Sequence, residues 1–150
     1  MRIAPLLTLV ALLAWTPLAS AAQGLVTRTS AHPVAVTLDR LEGILEDKGL
    51  TIFARIDHAA GAAGVGKDLR PTQVLIFGNP NVGTLLMQSA QSVAVDLPMK
   101  AVAWEDDSGT VHLGYNDPGY LVARHGILDR DPVVAKIRGL LEAVTARAAR

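Results

Sequence analysis

The chain predicts a single α+β domain, a mixed or antiparallel sheet of about five strands with helices packed on it. Three observations lead there. Helical and strand periodicities alternate along the chain. Two β-rich runs flank Asp106-Asp107-Ser108-Gly109, loop chemistry suited to an antiparallel hairpin. The 150 residues, half of them apolar and with a positive mean hydropathy, are enough for one real core and too few for two.

The opening residues "MRIAPLLTLVALLAWTPLASAAQG" place Arg2 before an apolar run from Ile3 to Ala14, then Pro17 and the small-residue series Ala19-Ser20-Ala21. That order is the charged, apolar and cleavage regions of a secretory signal. The run is shorter than the roughly 20 residues that span a bilayer. Residues 1–21 are therefore expected to be removed near Ala21, leaving 22–150 as a periplasmic or secreted domain with no stable membrane span; a retained single-helix anchor is the alternative. The chain has no cysteine, so export brings it no disulfides and stability must come from its core.

Gln23 to Ser30 alternates weakly and predicts the first strand. From Pro33 to Lys48, Val34, Leu38, Leu41 and Leu45 form one apolar stripe with charges elsewhere, an amphipathic helix stopped by Gly49. "LTIFARIDH" (50–58) reads as a strand with Ile52, Ala54, Ile56 and His58 on one face. Ala59 to Leu69, with glycines at 61, 64 and 66, reads as a flexible or close-packed connection. "PTQVLIF" (71–77) is apolar enough to be a central strand covered on both faces. A helix follows from Pro80 to about Gln91, then the hairpin between Met99 and Asn116, a short helix from Pro118 to His125, and a longer one from Pro132 to about Ala149. The order is βαββαββαα.

Fourteen basic and fourteen acidic residues are interspersed, which excludes the basic face that nucleic acid requires. The segment "LIFGNPNVGTLLMQ" (75–88) sits where phosphate loops are found, but it has two glycines, no lysine, and a proline that removes a donor. Asn79-Pro80 is first a helix-starting device, an Asn cap with Pro at the first helical position, repeated at Asp117-Pro118 and Asp131-Pro132. A capped helix end can still help hold an anion.

His32, His58, His112 and His125 lack the close spacing that puts two imidazoles on one metal, so no metal site and no cofactor is expected. His32 is expected in solvent, His112 on the hairpin's less apolar face, and His125 as a cation at a helix C-terminus. His58 is either a hydrogen-bonded residue at the core's edge or a ligand contact. Asp57, Asp96, Lys100, Tyr115 and Arg124 could serve acid–base chemistry, yet no spacing fixes a dyad and no serine sits in a nucleophile elbow, so catalytic residues stay unassigned.

The ordered blocks Ile56-Asp57-His58, Leu69-Arg70-Pro71-Thr72, Phe77-Gly78-Asn79-Pro80, Asp96-Leu97-Pro98-Met99-Lys100 and Gly109 to Tyr115 resemble the domain-of-unknown-function family 302, over roughly Leu38 to Leu121. The resemblance implies a compact α+β domain that forms homodimers through its sheet, and no established activity. It directs attention to His58, Asn79, Pro80, Asp96 and Lys100, which lie in those blocks. With Tyr115, the expected ligand-binding set is His58, Asn79, Asp96, Lys100 and Tyr115. The leading expectation is a non-catalytic exported homodimer binding a small polar or anionic ligand. Two alternatives stand beside it: a small-molecule enzyme using His58 oriented by Asp96, and a metal or haem accessory protein of the envelope using His58 and Met99.

Overall fold

The computed structural model describes residues 22–150; the expected signal segment, 1–21, lies outside the described residues. The elements are β1 (Leu25–Ser30), α1 (Val34–Asp47), β2 (Thr51–Asp57), α2 (His58–Gly64), β3 (Thr72–Gly78), α3 (Pro80–Ser89), a 3₁₀ helix (Gln91–Val95), β4 (Met99–Glu105), β5 (Val111–Asn116), α4 (Pro118–Arg124) and α5 (Asp131–Ala148). The sheet order is β1-β5-β4-β3-β2, and every neighbouring pair is antiparallel. The connection through α1 joins the two opposite edges, so it creates no parallel neighbours, and the antiparallel form of the expectation is the one adopted.

The expected order gains one α-helix, α2, and the 3₁₀ helix. Alanines at 59, 60, 62 and 63 favour helix more than Gly61 opposes it, and the Asp57 carboxylate accepts from the Ala60 amide at 2.9 Å to cap the first turn. The expected flexible connection is thus α2, none of whose residues is buried. The repeated Asp/Asn-Pro device works at two of its three sites. Asn79 accepts from the Asn81 amide, and Asp117 from the amides of Gly119 and Tyr120. At the third, Asp131 is itself the first helical residue, and Arg130 stands before it without a side-chain cap.

Alternation sends Leu75 and Phe77 of β3, Met99, Ala101 and Ala103 of β4, and Val111, Leu113 and Tyr115 of β5 to one face. There they meet Leu38, Leu41 and Leu45 of α1 and Val134, Ile137, Leu141 and Val144 of α5 in one core. A buried polar tie fixes the start of α1: the Ser30 and Thr37 hydroxyls lie 2.7 Å apart, and Thr37 Oγ1 donates to the His32 and Pro33 carbonyls. His32 is consequently half-buried rather than solvated.

β3 is interior in the sheet, but the expectation of cover on both faces is corrected. Neither α1 nor α5 reaches the other face, where Val74, Ile76, Val102 and Trp104 are half-buried while Ile56 is 43% exposed. Trp104 stacks on His112 with ring centroids 5.1 Å apart, which places His112 on this less apolar face as expected.

α4 docks onto α5 through Asp117, whose carboxylate also takes Arg138 Nε at 3.0 Å and an Arg138 terminal nitrogen at 2.9 Å. The Arg138 guanidinium is the main cause holding the Asp117 carboxyl below its ordinary value; partial burial opposes it, and the two amides add to it. A depressed folded pKa contributes stability above the unfolded carboxylate pKa of about 3.9, and that contribution is lost as pH falls through the folded value. Urea unfolding at neutral pH should show Asp117→Ala less stable by about 1–2 kcal/mol, and Asp117→Asn by less because it keeps a cap acceptor. The wild-type and Asp117→Asn curves should converge as pH is lowered from about 5 towards 2.

Candidate functional site

Phe77 of β3 pairs with Met99 of β4, so the end of the sheet where β3 stops is also where β4 begins. Asn79, Asp96, Met99 and Lys100 belong to this end. His58 follows Asp57, which pairs with Gln73. Gln73 lies four residues before Phe77, about 13 Å along the strand at 3.3–3.4 Å per residue. His58 therefore sits at the opposite end of the sheet, exposed as the first residue of α2.

The expected face of His58 is corrected as well. A bulge between Ile52 and Ala54 breaks the alternation, so Ile52 faces the helices with Phe77 while Ala54 and Ile56 face away, and the chain leaves the strand at Asp57. The pairings His58–Asp96 and His58–Met99, on which the enzyme and metal alternatives rest, do not form. Among the described residues no three His, Asp or Glu side chains gather closely enough to hold a metal ion.

The other four candidates separate by role. Lys100 projects on the uncovered face, and its Nζ donates to the backbone oxygens of Asp96 and Pro98 at 3.1 and 3.0 Å, holding the turn that leads into β4. Tyr115 is buried in the core, where desolvation pushes its phenol above the ordinary value against the opposing pull of Arg28, so it is a neutral packing residue. Asp96 is engaged by α4, as described below. Of the five, Asn79 lines the cleft described next and the other four do not.

That cavity is a cleft of about 600 Å³ at the α3 end of the sheet. Phe77 and Met99 lie at the ends of two adjacent interior strands, β3 and β4, and Leu86 and Met87 come from α3. Leu97 and Pro98 form the approach to β4, and Ile137, Leu140 and Leu141 come from α5. The polar groups on its border are few: Asn79, Thr84, Lys48 at the end of α1 and Lys136 on α5. Predominantly apolar concave walls with a few polar groups are the usual make-up of a small-molecule site. The cap on α3 has a second use here, because it fixes the helix start that forms one wall.

Beside the cleft, topology assembles a cluster that no local spacing announces. His125, the residue closing α4, lies 2.9 Å from Ser92 Oγ through Nδ1 and 2.6 Å from Asp96 Oδ2 through Nε2. Asp96 also accepts from Arg124 at 3.0 and 3.2 Å. The His125 and Asp96 side chains are 8% and 12% exposed. A hydroxyl, an imidazole and a carboxylate in hydrogen-bonded series have the connectivity of nucleophilic catalysis. Ser92, however, is exposed and lies outside the cleft lining, and Arg124 already occupies the carboxylate. The arrangement acts as a clasp between the 3₁₀ helix and α4. His125 was legible as a residue at a helix end, but its partners stand 29 and 33 positions away in sequence. As a clasp, Asp96→Ala and His125→Ala should each cost about 1–3 kcal/mol by leaving a largely buried partner unsatisfied. The double variant should cost less than their sum by about 0.5–3 kcal/mol in a double-mutant cycle. Ser92→Ala should change stability by less than about 0.5 kcal/mol, as exposed substitutions do.

The pattern of the family described as "Domain of unknown function DUF302" matches residues 26–144. The fluoride-specific ion channel FluC 1 of Brucella suis biovar 1 (strain 1330) is 48% identical over 104 residues, 69% of this chain and 41% of that protein. FluC 1 of Brucella abortus biovar 1 (strain 9-941) is likewise 48% identical over 104 residues, 38% of its length. The chain thus spans about two fifths of these curated relatives. The crystal structure of an uncharacterized conserved DUF302 protein from Bacillus stearothermophilus shares the fold, with a TM-score of 0.76 at 24% identity over 86% of this chain and 100% of that one. The chain belongs to the DUF302 family, a domain of unknown function.

Proposed function

We propose that this protein is an exported, non-catalytic small-ligand-binding domain that works as a homodimer. The observation that carries the reading is the cleft of about 600 Å³ at the α3 end of the sheet, within the range of ligand sites and lined mainly by apolar side chains. Of the five side chains expected to bind, Asn79 contributes to this cleft; the ligand meets mostly hydrocarbon there. Export is supported by the signal-like order of residues 1–21. Dimerisation is supported by the uncovered sheet face, where Ile56 and Trp104 sit among half-buried Val74, Ile76 and Val102, an apolar surface of the kind that marks an interface.

The fluoride-channel relatives keep more than half of their length outside the match. No described helix of this chain is long and apolar enough to cross a membrane. We therefore assign the channel activity of those relatives to their unmatched portions. A hydrolytic reading has one observation in its favour, the Ser92–His125–Asp96 series; Ser92 lies outside the cleft lining and Arg124 occupies the carboxylate, which places it second.

Native mass spectrometry of the protein recovered from its own periplasm tests the main reading in one measurement. The expected species is a dimer of chains beginning near Ala22 that releases a small molecule on activation. A ligand-free monomer still carrying residues 1–21 would overturn the proposal. Covalent labelling of Ser92 by a fluorophosphonate, lost in His125→Ala, would favour the hydrolytic reading instead.

A further inference from the structure

The cleft is chemically two-sided. Its interior is hydrocarbon, and its border carries two ammonium groups from separate helices, Lys48 closing α1 and Lys136 within α5. Both lysines are exposed, and among the described residues neither lies within ion-pair distance of a carboxylate. Among the described residues no aspartate or glutamate lines the cleft. A cationic ligand would meet two like charges with nothing to neutralise it. A wholly polar ligand would surrender its hydration to walls that return few hydrogen bonds. An alkyl chain loses nothing on those walls, and Met87 and Met99, flexible and polarizable, can adapt to its course.

We infer that the cleft takes a single-chain anionic amphiphile, a free long-chain carboxylate, with its chain along Leu86, Leu97 and Leu141 and its head at the rim beside Lys48 and Lys136. The inference rests on the reading of the cleft as the ligand site and adds the ligand's class to it. The apolar interior supplies most of the affinity, since burial of hydrocarbon scales with the area removed from water. The two lysines supply selectivity for the anion. They are solvent-exposed, so their combined effect is modest, roughly five- to tenfold in affinity.

Three probes of one chain length separate these contributions: dodecanoate, dodecanol and dodecyltrimethylammonium, each titrated below its micelle concentration into the periplasmically purified protein and followed by calorimetry and thermal shift. Dodecanoate is expected to bind roughly five- to tenfold tighter than dodecanol, and the ammonium weakest. Lys48→Met/Lys136→Met should reduce dodecanoate to the level of dodecanol while leaving dodecanol unchanged. Gly83→Leu should weaken both dodecanoate and dodecanol, because Gly83 lines the cleft and a Cβ there would stand 3.8 Å from Leu97 Cδ1. That exchange also raises helix propensity within α3, so the fold tolerates it. If dodecanol or the ammonium binds as tightly as dodecanoate, or the lysine variants change nothing, the anionic head is overturned and the cleft remains a ligand site. If none of the three binds, or Gly83→Leu leaves all binding intact, the site reading itself falls and this inference with it.

Discussion

The structure depends on one crossing. β1 and β2 are consecutive strands at opposite edges of the sheet, and α1 must carry the chain from one to the other. Four inter-strand spacings amount to about 19 Å. The end of β1 and the start of β2 also lie at opposite ends of the strands, so α1, whose fourteen residues reach about 21 Å, runs along the sheet as well as across it. Its stripe of Leu38, Leu41 and Leu45, none with any exposure, closes the core over β2 to β5, each side chain contributing about 1.5–3 kcal/mol of burial. The Ser30–Thr37 contact fixes the helix where it leaves β1. From β2, Arg55 reaches back to Asp39 at 2.5 Å and to the Ala35 carbonyl at 3.0 Å.

The site follows from what this crossing leaves uncovered. α5 lies beside α1, and its end is bound in turn: Arg40 donates to the carbonyls of Ala148 and Arg147, and the Ala31 amide to that of Ala149. α1 ends at Asp47, so the corner between its end, α5 and the end of β3 has no helix across it, and α3 with the 3₁₀ helix stands as a wall instead. That corner is the cleft. The 3₁₀ helix serves two structures, because Ala94 lines the cleft while Ser92, with Asp96 just beyond, holds α4. The clasp thereby positions a wall, and a polar cluster that looks catalytic in connectivity serves the geometry of an apolar site. The opposite sheet face has no such cover, and this gives the homodimer reading its surface.

The fold was legible where local chemistry and global position agree. The stripe of α1, the hairpin loop, and the caps at Asn79 and Asp117 each need information from a few neighbouring residues, and each appears in the structure within a residue or two of its expected bounds. Legibility ended where one local signal competed with another. Glycines at 61, 64 and 66 hid the alanine helix α2, and the single-residue bulge in β2 reversed the faces read from strict alternation. It ended also where topology alone decides. Motif blocks brought His58 and Asp96 together as candidates because both are polar, but they belong to opposite ends of the sheet. The histidine that does meet Asp96, His125, carries in sequence only the mark of a helix-end cation. Lys48 and Lys136 carry no motif, and their relevance follows only from the cleft they border.

The central claim is that a preformed apolar cleft exists at the α3 end of the sheet before any ligand arrives. Crystals of the protein pressurised with xenon test it most directly, because xenon occupies dry apolar space and makes no demand on charge or hydrogen bonding. Xenon density is expected between Leu86, Leu97 and Leu140, with Gly78, Asn79 and Pro80 unmoved. Xenon absent from this corner, with α3 collapsed onto α5 or ordered water filling the space, would contradict it.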